Sequence, residues 1–224
     1  MKRIYLFPML LSLCVISCDR GAKENPSDTA LERLMKGNER FVQNQPIYQN
    51  RSEEFRKKRM QKTYPFAIIV ASSSSRASPE IIFDQGLGEL FVIRTAGNVI
   101  CPSQMDSVRY ALTHFSPDLV LVVGEQDSGV VNAVLEGNTE AIPAIAKKIQ
   151  PAVSMERKQD LKDPLEAAIK QNAINVKKTI ENDPVIRRMI SKNEVSVKAA
   201  YHSLDKGSVH LIQEKNAPHL KEAP

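Results

Sequence analysis

Two short polar segments, each directly after an apolar run, contain the side chains best suited to chemistry. The first supplies the hydroxyls of Ser72 and Ser74 and the guanidinium of Arg76, and the second supplies the carboxylate of Glu125 and the hydroxyl of Ser128. A guanidinium beside hydroxyls can hold a small anion through charge-assisted hydrogen bonds. These five residues are therefore the candidates for a polar ligand-binding pocket; the alternative is that they only fill space and bind no ligand.

The same two segments lack the side chains for two other kinds of chemistry. Neither contains a histidine or a cysteine. Zinc prefers thiolate and imidazole ligands, and a serine nucleophile normally depends on a histidine base. Because a carboxylate is a weak base for serine at neutral pH, we predict neither a catalytic residue nor a metal ligand here. A hydrolase that uses a serine with Glu125 as its base stays open as an alternative.

The elements that must position these segments alternate between strands and helices. Apolar runs rich in β-branched residues predict strands buried on both faces. Between two of these runs lies a segment whose apolar side chains recur at helical spacing, which predicts a helix. Strands that alternate with helices form parallel sheets, so the predicted fold class is α/β with a central, mainly parallel sheet flanked by helices. Ligands of such folds bind at the carboxyl ends of the strands. The predicted strands are 64–71, 90–94, 118–124 and 208–212, and the predicted helices begin near residue 28, at 104–115 and, as several helices, across 139–190.

The first 27 residues predict export and lipid attachment. A basic start precedes the apolar stretch 4–16, which is too short to cross a bilayer as a helix and is typical of a signal peptide. The four residues ending at Cys18 resemble a bacterial lipobox. We therefore predict a signal peptide at 1–17, acylation of Cys18 with chains such as palmitate, a tether at 18–27 and a folded domain at 28–224.

Two acyl chains are enough to hold a protein firmly on a membrane. The predicted location is therefore the bacterial cell envelope, with the domain on the periplasmic or another extracytoplasmic face. An ordinary signal peptide, in which Cys18 is incidental, is the alternative.

The net charge is too small to indicate nucleic acid binding. It is +5, and it falls to +3 once Lys2 and Arg3 leave with the signal peptide. The most basic stretch, 51–62, places acids four residues ahead of lysines, which favours a solvated helix face. A membrane-surface or nucleic-acid patch is its alternative interpretation. Only Cys101 then remains as a thiol, so an intrachain disulfide is excluded.

A resemblance to a known family rests mainly on residues 65–98. The block Pro65–Asp84, followed by Gln85–Asn98, resembles the first active-site segment of the β-carbonic anhydrases, which normally reads Cys-x-Asp-x-Arg and then Pro-Glu. Weaker similarities lie at 37–42, 107–111, 172–176 and 200–207. Together they extend the resemblance to roughly residues 29–212.

The resemblance implies a fold, an assembly and a metal. The fold is a small parallel sheet flanked by helices, and the first helices wrap over a second subunit to make a dimer. The metal is zinc, which the family holds with a cysteine from the first segment and with the histidine and second cysteine of a later Gly-His-x-x-Cys-Gly segment.

All four positions of that metal site differ in this chain. Aligned on Arg76, the first cysteine position holds Ser72 and the aspartate position holds Ser74; aligned on the later glycines, the histidine and second cysteine positions hold Glu125 and Ser128. No zinc cofactor is therefore expected. Because a buried, unpaired guanidinium is costly, we also predict that Glu125 replaces the lost aspartate as the partner of Arg76.

Three functions follow as expectations. The leading one is a membrane-tethered homodimer without zinc-dependent CO2 hydration, which binds bicarbonate or another small anion or acts as a scaffold. The second is an active enzyme, either a metal-independent carbonic anhydrase (carbonate dehydratase) or the Ser/Glu hydrolase. The third is a partner for a zinc-bearing paralogue in a mixed dimer. A zinc site rebuilt from Cys101 and His114 is a further alternative, although neither lies at a motif position.

Overall fold

A computed structural model describes residues 29–47, 49–60, 62–156 and 162–213; the predicted signal peptide, the tether and Cys18 lie outside them. In this part of the chain, helices and strands alternate. None of its helices is both long and apolar enough to span a bilayer. In chain order the elements are α1 (Ala30–Val42), α2 (Glu53–Arg59), β1 (Ala67–Ser72), α3 (Pro79–Ile82), β2 (Leu90–Thr95), α4 (Pro102–Phe115), β3 (Leu119–Glu125), α5 (Gly129–Glu136), α6 (Pro143–Glu156), α7 (Pro164–Glu181), α8 (Pro184–Ser191), β4 (Ser196–His202) and β5 (Val209–Leu211).

One five-stranded sheet organises the fold, with the strand order β2-β1-β3-β4-β5. The pairs β1–β2, β1–β3 and β3–β4 are parallel, and β5 runs antiparallel to its neighbour β4. The predicted α/β class with a mainly parallel sheet is thereby confirmed. The three apolar runs and the short final strand correspond to β1, β2, β3 and β5, whereas β4 was not predicted.

Helices cover both faces of the sheet. One face packs against α4, α7 and α8 through side chains such as Val70, Val122 and Ile180, and the other packs against α1 and α3 through Ile69, Leu121 and Phe83. A third cluster joins α5, α6 and α7. Because β1 and β3 are buried along their whole length, apolar residues do not alternate with polar residues along these two strands.

The first helix starts slightly later than predicted. Thr29 is the N-cap of α1: its hydroxyl accepts from the backbone N–H of Glu32, whose carboxylate accepts from the backbone N–H of Thr29 at 2.8 Å. This reciprocal capping box satisfies two backbone donors and fixes the start of the helix.

Asn38 ties α1 to the end of the chain. Its side-chain amide donates to the carbonyls of Ile82 and Gly207, both at 2.9 Å, and its oxygen accepts from the backbone N–H of Val209 at 2.8 Å. Its neighbour Gly37 allows the close approach, because a Cβ there would lie 1.8 Å from the carbonyl oxygen of Phe83. One buried side chain thus joins α1, α3 and the turn before β5.

We expect Asn38→Ala to lower the free energy of unfolding by about 3 kcal/mol, because it leaves three backbone groups without a partner. Urea unfolding followed by circular dichroism measures the change. Asn132→Ala is the matched control, since that amide makes one exposed bond to Glu136 and its loss should cost less than about 1 kcal/mol. Equal losses in the two variants would contradict the role of Asn38.

Candidate functional site

The two polar segments begin where β1 and β3 end. Ser72 is the last residue of β1, Glu125 is the last residue of β3, and Ser128 is the N-cap residue of α5. Because β1 and β3 are parallel neighbours, their carboxyl ends meet at one edge of the sheet. All three residues are buried, whereas Ser74 is half-buried and Arg76 is exposed.

Short-range hydrogen bonds shape the segment after β1. The hydroxyl of Ser72 accepts from the backbone N–H of Ser74 at 3.1 Å, and the hydroxyl of Ser74 accepts from the backbone N–H of Arg76 at 3.3 Å. Serine favours such local bonds, which replace the sheet ladder once a strand has ended. Arg94, from β2, holds the same segment by donating to the carbonyl of Ser72 at 2.9 Å. The serine run therefore folds into a turn that directs Arg76 back toward β3.

Arg76 and Glu125 form the predicted ion pair. Their closest atoms, Nη2 and Oε1, are 3.0 Å apart, and the same Nη2 donates to the backbone carbonyl of Asp127 at 3.1 Å. The two side chains differ in their access to water, since Arg76 is 50% exposed and Glu125 only 2%. The guanidinium thus covers a buried carboxylate from the solvent side.

Glu125 is poorly satisfied apart from this pair. Neither of its carboxylate oxygens accepts a hydrogen bond from any described residue. The Arg76 guanidinium is close enough to form an ion pair with Glu125, but the angle between the two groups does not suit a hydrogen bond. A carboxylate that is buried without hydrogen bonds is costly, and the charge of Arg76 is what offsets that cost.

His202 is a site residue that sequence reasoning missed. It is the last residue of β4 and the direct partner of Glu125 in the β3–β4 register, so both side chains point to the same face of the sheet. It is 2% exposed, and neither ring nitrogen makes a hydrogen bond of acceptable geometry with a described residue. The change from apolar to polar residues at the end of β4 is a sequence signal that could have pointed to His202. It was not used, because β4 itself was not predicted.

The environment of His202 lowers the pKa of its imidazole. Burial is the main cause, and the negative charge of Glu125 and a weak contact with the backbone of Gly207 oppose it in part. The fold therefore favours the neutral ring. Two polar groups, one charged and one neutral, thus lie side by side at the ends of β3 and β4.

This pKa shift predicts a pH dependence of stability. The unfolded chain takes up a proton on His202 near its ordinary pKa of 6.5, whereas the folded chain resists it. Stability should consequently fall as pH drops below about 6.5, by no more than about 1.4 kcal/mol per pH unit from this group. Urea midpoints at pH 7.5 and 5.5 measure the slope. His202→Gln should flatten it, and an unchanged slope in that variant would assign the dependence to other groups.

A cavity of about 640 Å³ lies near the end of β4, and none of the five predicted pocket residues lines it. Its walls include Gln126, Tyr201, Lys170 and His210. Burial raises the pKa of the Tyr201 phenol, helped by surrounding carboxylates. This hydroxyl therefore stays protonated.

The structure keeps Cys101 and His114 apart. Cys101 precedes α4 as its N-cap, and His114 lies in the last turn of the same helix, stacked on Tyr110 at 4.0 Å. Thirteen residues of helix separate them by about 20 Å. They cannot share a metal ion within one chain.

Comparisons with known proteins agree with one another. A model of the carbonic anhydrase family matches residues 67–209. Carbonic anhydrase 2 of Mycobacterium tuberculosis is 37% identical over 138 residues, which cover 59% of this chain and 67% of that protein. Carbonic anhydrase of Mycolicibacterium smegmatis is 32% identical over 190 residues, 81% of this chain and 91% of that protein.

The fold gives the same result as the sequence. Tetrameric β-carbonic anhydrases from Sordaria macrospora superpose with a TM-score of 0.67 at 17% identity, over 81% of this chain and 96% of theirs. The family match runs from the first residue of β1 to the first residue of β5 and includes both polar segments. The chain therefore belongs to the β-carbonic anhydrase family.

Proposed function

We propose that this protein is a lipid-anchored carbonic anhydrase homologue that does not hydrate CO2 through zinc and that serves as a binding or scaffold protein. The observation that carries the proposal is the ion pair between Arg76 and Glu125, which joins the two segments that hold zinc in the family. A carboxylate neutralised by a guanidinium 3.0 Å away is a poor ligand for a cation.

The donor set at these positions does not fit zinc. A catalytic zinc site needs three protein ligands, mostly thiolate and imidazole, and an open position for water. Ser72 and Ser128 offer neutral hydroxyls instead, and Glu125 is already paired. No group of three or more His, Cys, Asp or Glu residues in the described part of the chain is arranged to hold a metal ion.

A small anion is the ligand that the site supports best. The Nη2 and Nε atoms of Arg76 contact Glu125, Asp127 and Ser74, but its Nη1 has no hydrogen-bond partner among the described residues. Because the side chain is half exposed, those two N–H donors can reach an anion from solvent. Bicarbonate is the natural first candidate, since it can accept from a guanidinium and from hydroxyls.

The enzyme alternative has less support from the geometry. A hydrolase that uses serine and Glu125 needs the carboxylate to accept a hydrogen bond from the serine hydroxyl, and Glu125 accepts none from a described residue. A metal-independent hydration would need the same base.

Metal content and CO2 hydration test the proposal together. Protein purified without chelators should contain far less than one zinc ion per chain by mass spectrometry, and stopped-flow hydration with added zinc should stay at the uncatalysed rate. Turnover well above background would overturn it. If turnover appears without metal, Arg76→Ala and Glu125→Gln will show whether this site produces it.

Membrane attachment and assembly are parts of the same proposal with their own tests. Intact-mass analysis of the membrane fraction should find acyl chains on Cys18 and no residues 1–17, and Cys18→Ala should release the protein from the membrane.

The solved relatives from Sordaria macrospora are described as tetrameric. We propose a homodimer for this chain, and sedimentation velocity would reveal a monomer or a mixed assembly.

A further inference from the structure

The amino-terminal end of α5 has backbone donors that lack acceptors. Gly129, Val130 and Val131 form the first turn, and none of their N–H groups donates to a described residue. The first backbone bond of the helix runs from the N–H of Asn132 to the carbonyl of Ser128 at 2.9 Å. The first turn also contains no acidic side chain. The positive end of the helix dipole therefore has no negative group to offset it in this turn.

The hydroxyl of Ser128 is a further donor at the same place. Ser128 is the N-cap residue of α5, but its side chain makes no capping hydrogen bond. The residue is 6% exposed, and its hydroxyl has no hydrogen-bond partner among the described residues. A buried hydroxyl without a partner is costly. An anion at the end of the helix would satisfy both this hydroxyl and the backbone donors.

Arg76 adds a positive charge beside the end of the helix. Its Nη2 donates to the carbonyl of Asp127 at 3.1 Å, and its Nη1 has no hydrogen-bond partner in the described part of the chain. Gly129 is exposed, and a Cβ at this position would meet no atom within 4 Å. The space next to these donors is therefore open. We define the α5 anion site as the Nη1 of Arg76, the hydroxyl of Ser128 and the N–H groups of Gly129 and Val130.

Charge alone does not select the ligand of this site. Arg76 and Arg94, which holds the turn after β1, balance the carboxylates of Glu125 and Asp127. The donors then decide which anion binds. Bicarbonate offers a single negative charge, whereas a phosphate group offers at least three acceptor oxygens and a charge of about −1.5 to −2 at pH 7. Phosphate therefore gains more from several converging N–H groups at a helix end.

We propose that the α5 anion site binds a phosphate group in preference to bicarbonate. The proposal rests on the proposed function and narrows its ligand class, because the backbone donors of α5 join the guanidinium and the hydroxyl. In the family, a substrate must reach zinc at these same two segments within the assembled enzyme. A dimer of the family's kind therefore leaves this end of the sheet open to a small anion.

Isothermal titration calorimetry of the mature chain in nonionic detergent measures this preference. At pH 7.5 and constant ionic strength, inorganic phosphate should bind about tenfold more tightly than bicarbonate. Phenyl phosphate is the second probe, because it carries the same group as a monoester. Tighter binding of phenyl phosphate would identify an ester as the ligand, and tighter binding of inorganic phosphate would identify the free ion.

A proline at position 129 tests the backbone donors directly. Proline lacks an N–H but is well tolerated at the first position of a helix, and Ser128 already has the extended backbone that suits a following proline. Gly129→Pro should weaken phosphate binding about tenfold, whereas Gly129→Val, which keeps the N–H at similar bulk, should weaken it less than about threefold. Ser128→Ala should weaken it about fivefold. Urea midpoints close to that of the parent would show that the variants fold.

Three results would overturn the proposal. They are no phosphate binding by the parent protein, bicarbonate binding as tight as phosphate binding, and equal losses in Gly129→Pro and Gly129→Val. The second result would leave bicarbonate as the ligand of the proposed function. Zinc content and CO2 hydration are measured without phosphate, so a failure of the proposed function is distinguishable from a failure of this inference.

Discussion

A chain with Ser72→Cys, Glu125→His and Ser128→Cys, together with Ser74→Asp, will bind about one zinc ion per molecule. The first three changes place thiolate and imidazole at the converging ends of β1 and β3 and at the start of α5. The fourth gives Arg76 a new carboxylate partner in place of Glu125. Sites of this kind bind zinc with an apparent free energy of about 10 kcal/mol, a Kd on the order of 10⁻⁸ M.

Zinc content by mass spectrometry and competition with a chromophoric chelator measure this gain. The matched control keeps Ser74→Asp and places Ala, Gln and Ala at positions 72, 125 and 128, so it changes the same four residues without adding thiolate or imidazole ligands and should stay metal-free. CO2 hydration by the four-residue variant is a second readout. A folded variant that takes up no zinc would mean that these strand ends do not converge as the fold places them.

Removing Arg76 should cost far more stability than removing Glu125. Arg76→Met leaves a carboxylate that is 2% exposed with neither a charge partner nor a hydrogen bond, which should cost about 3 kcal/mol. Glu125→Leu instead leaves a guanidinium that is half exposed and can be hydrated, so it should cost less than about 1 kcal/mol or stabilise. The ion pair therefore stabilises the fold mainly because it offsets the cost of burying the Glu125 carboxylate. The Arg76 guanidinium gains little from the pair, since it can be hydrated.

Urea unfolding of the two single variants and of the double variant makes up a double-mutant cycle for Arg76 and Glu125. In the double variant the penalty of Arg76→Met should largely disappear, because no buried charge remains. Equal costs for the two single variants would contradict this asymmetry.

The parts of the fold that were predictable are those with strong local patterns. The cores of β1 and β3 are continuous apolar runs, and the pattern identifies them because both faces are buried. β4 escaped notice because Lys198 and two alanines weaken its β-propensity, and its place in the sheet comes from pairing with β3 rather than from its own sequence.

As with the strands, some features of the site could be predicted from the sequence, whereas others depend on pairing between distant parts of the chain. The Arg76–Glu125 pair was predicted correctly, but on a premise that the structure corrects: the guanidinium was expected to be buried, whereas Arg76 is 50% exposed and Glu125, at 2%, is the buried charge that requires a partner. His202 was not, because it meets Glu125 only through a register between residues 77 positions apart. The basic stretch 51–62 was visible in the sequence, but only the structure shows that Met60 and Tyr64 are exposed beside it.

The Asn38 contacts also bear on the order in which the chain can fold. Its partners Gly207 and Val209 lie 169 and 171 residues later, so α1 gains two of its three Asn38 bonds only after nearly the whole chain has left the ribosome, and the bond to Ile82 alone can form earlier. Contacts of such long sequence separation form late and slow the search for the native state. We expect the nascent chain to stay open at its amino-terminal end until synthesis is complete, a state well suited to passage through a narrow export channel.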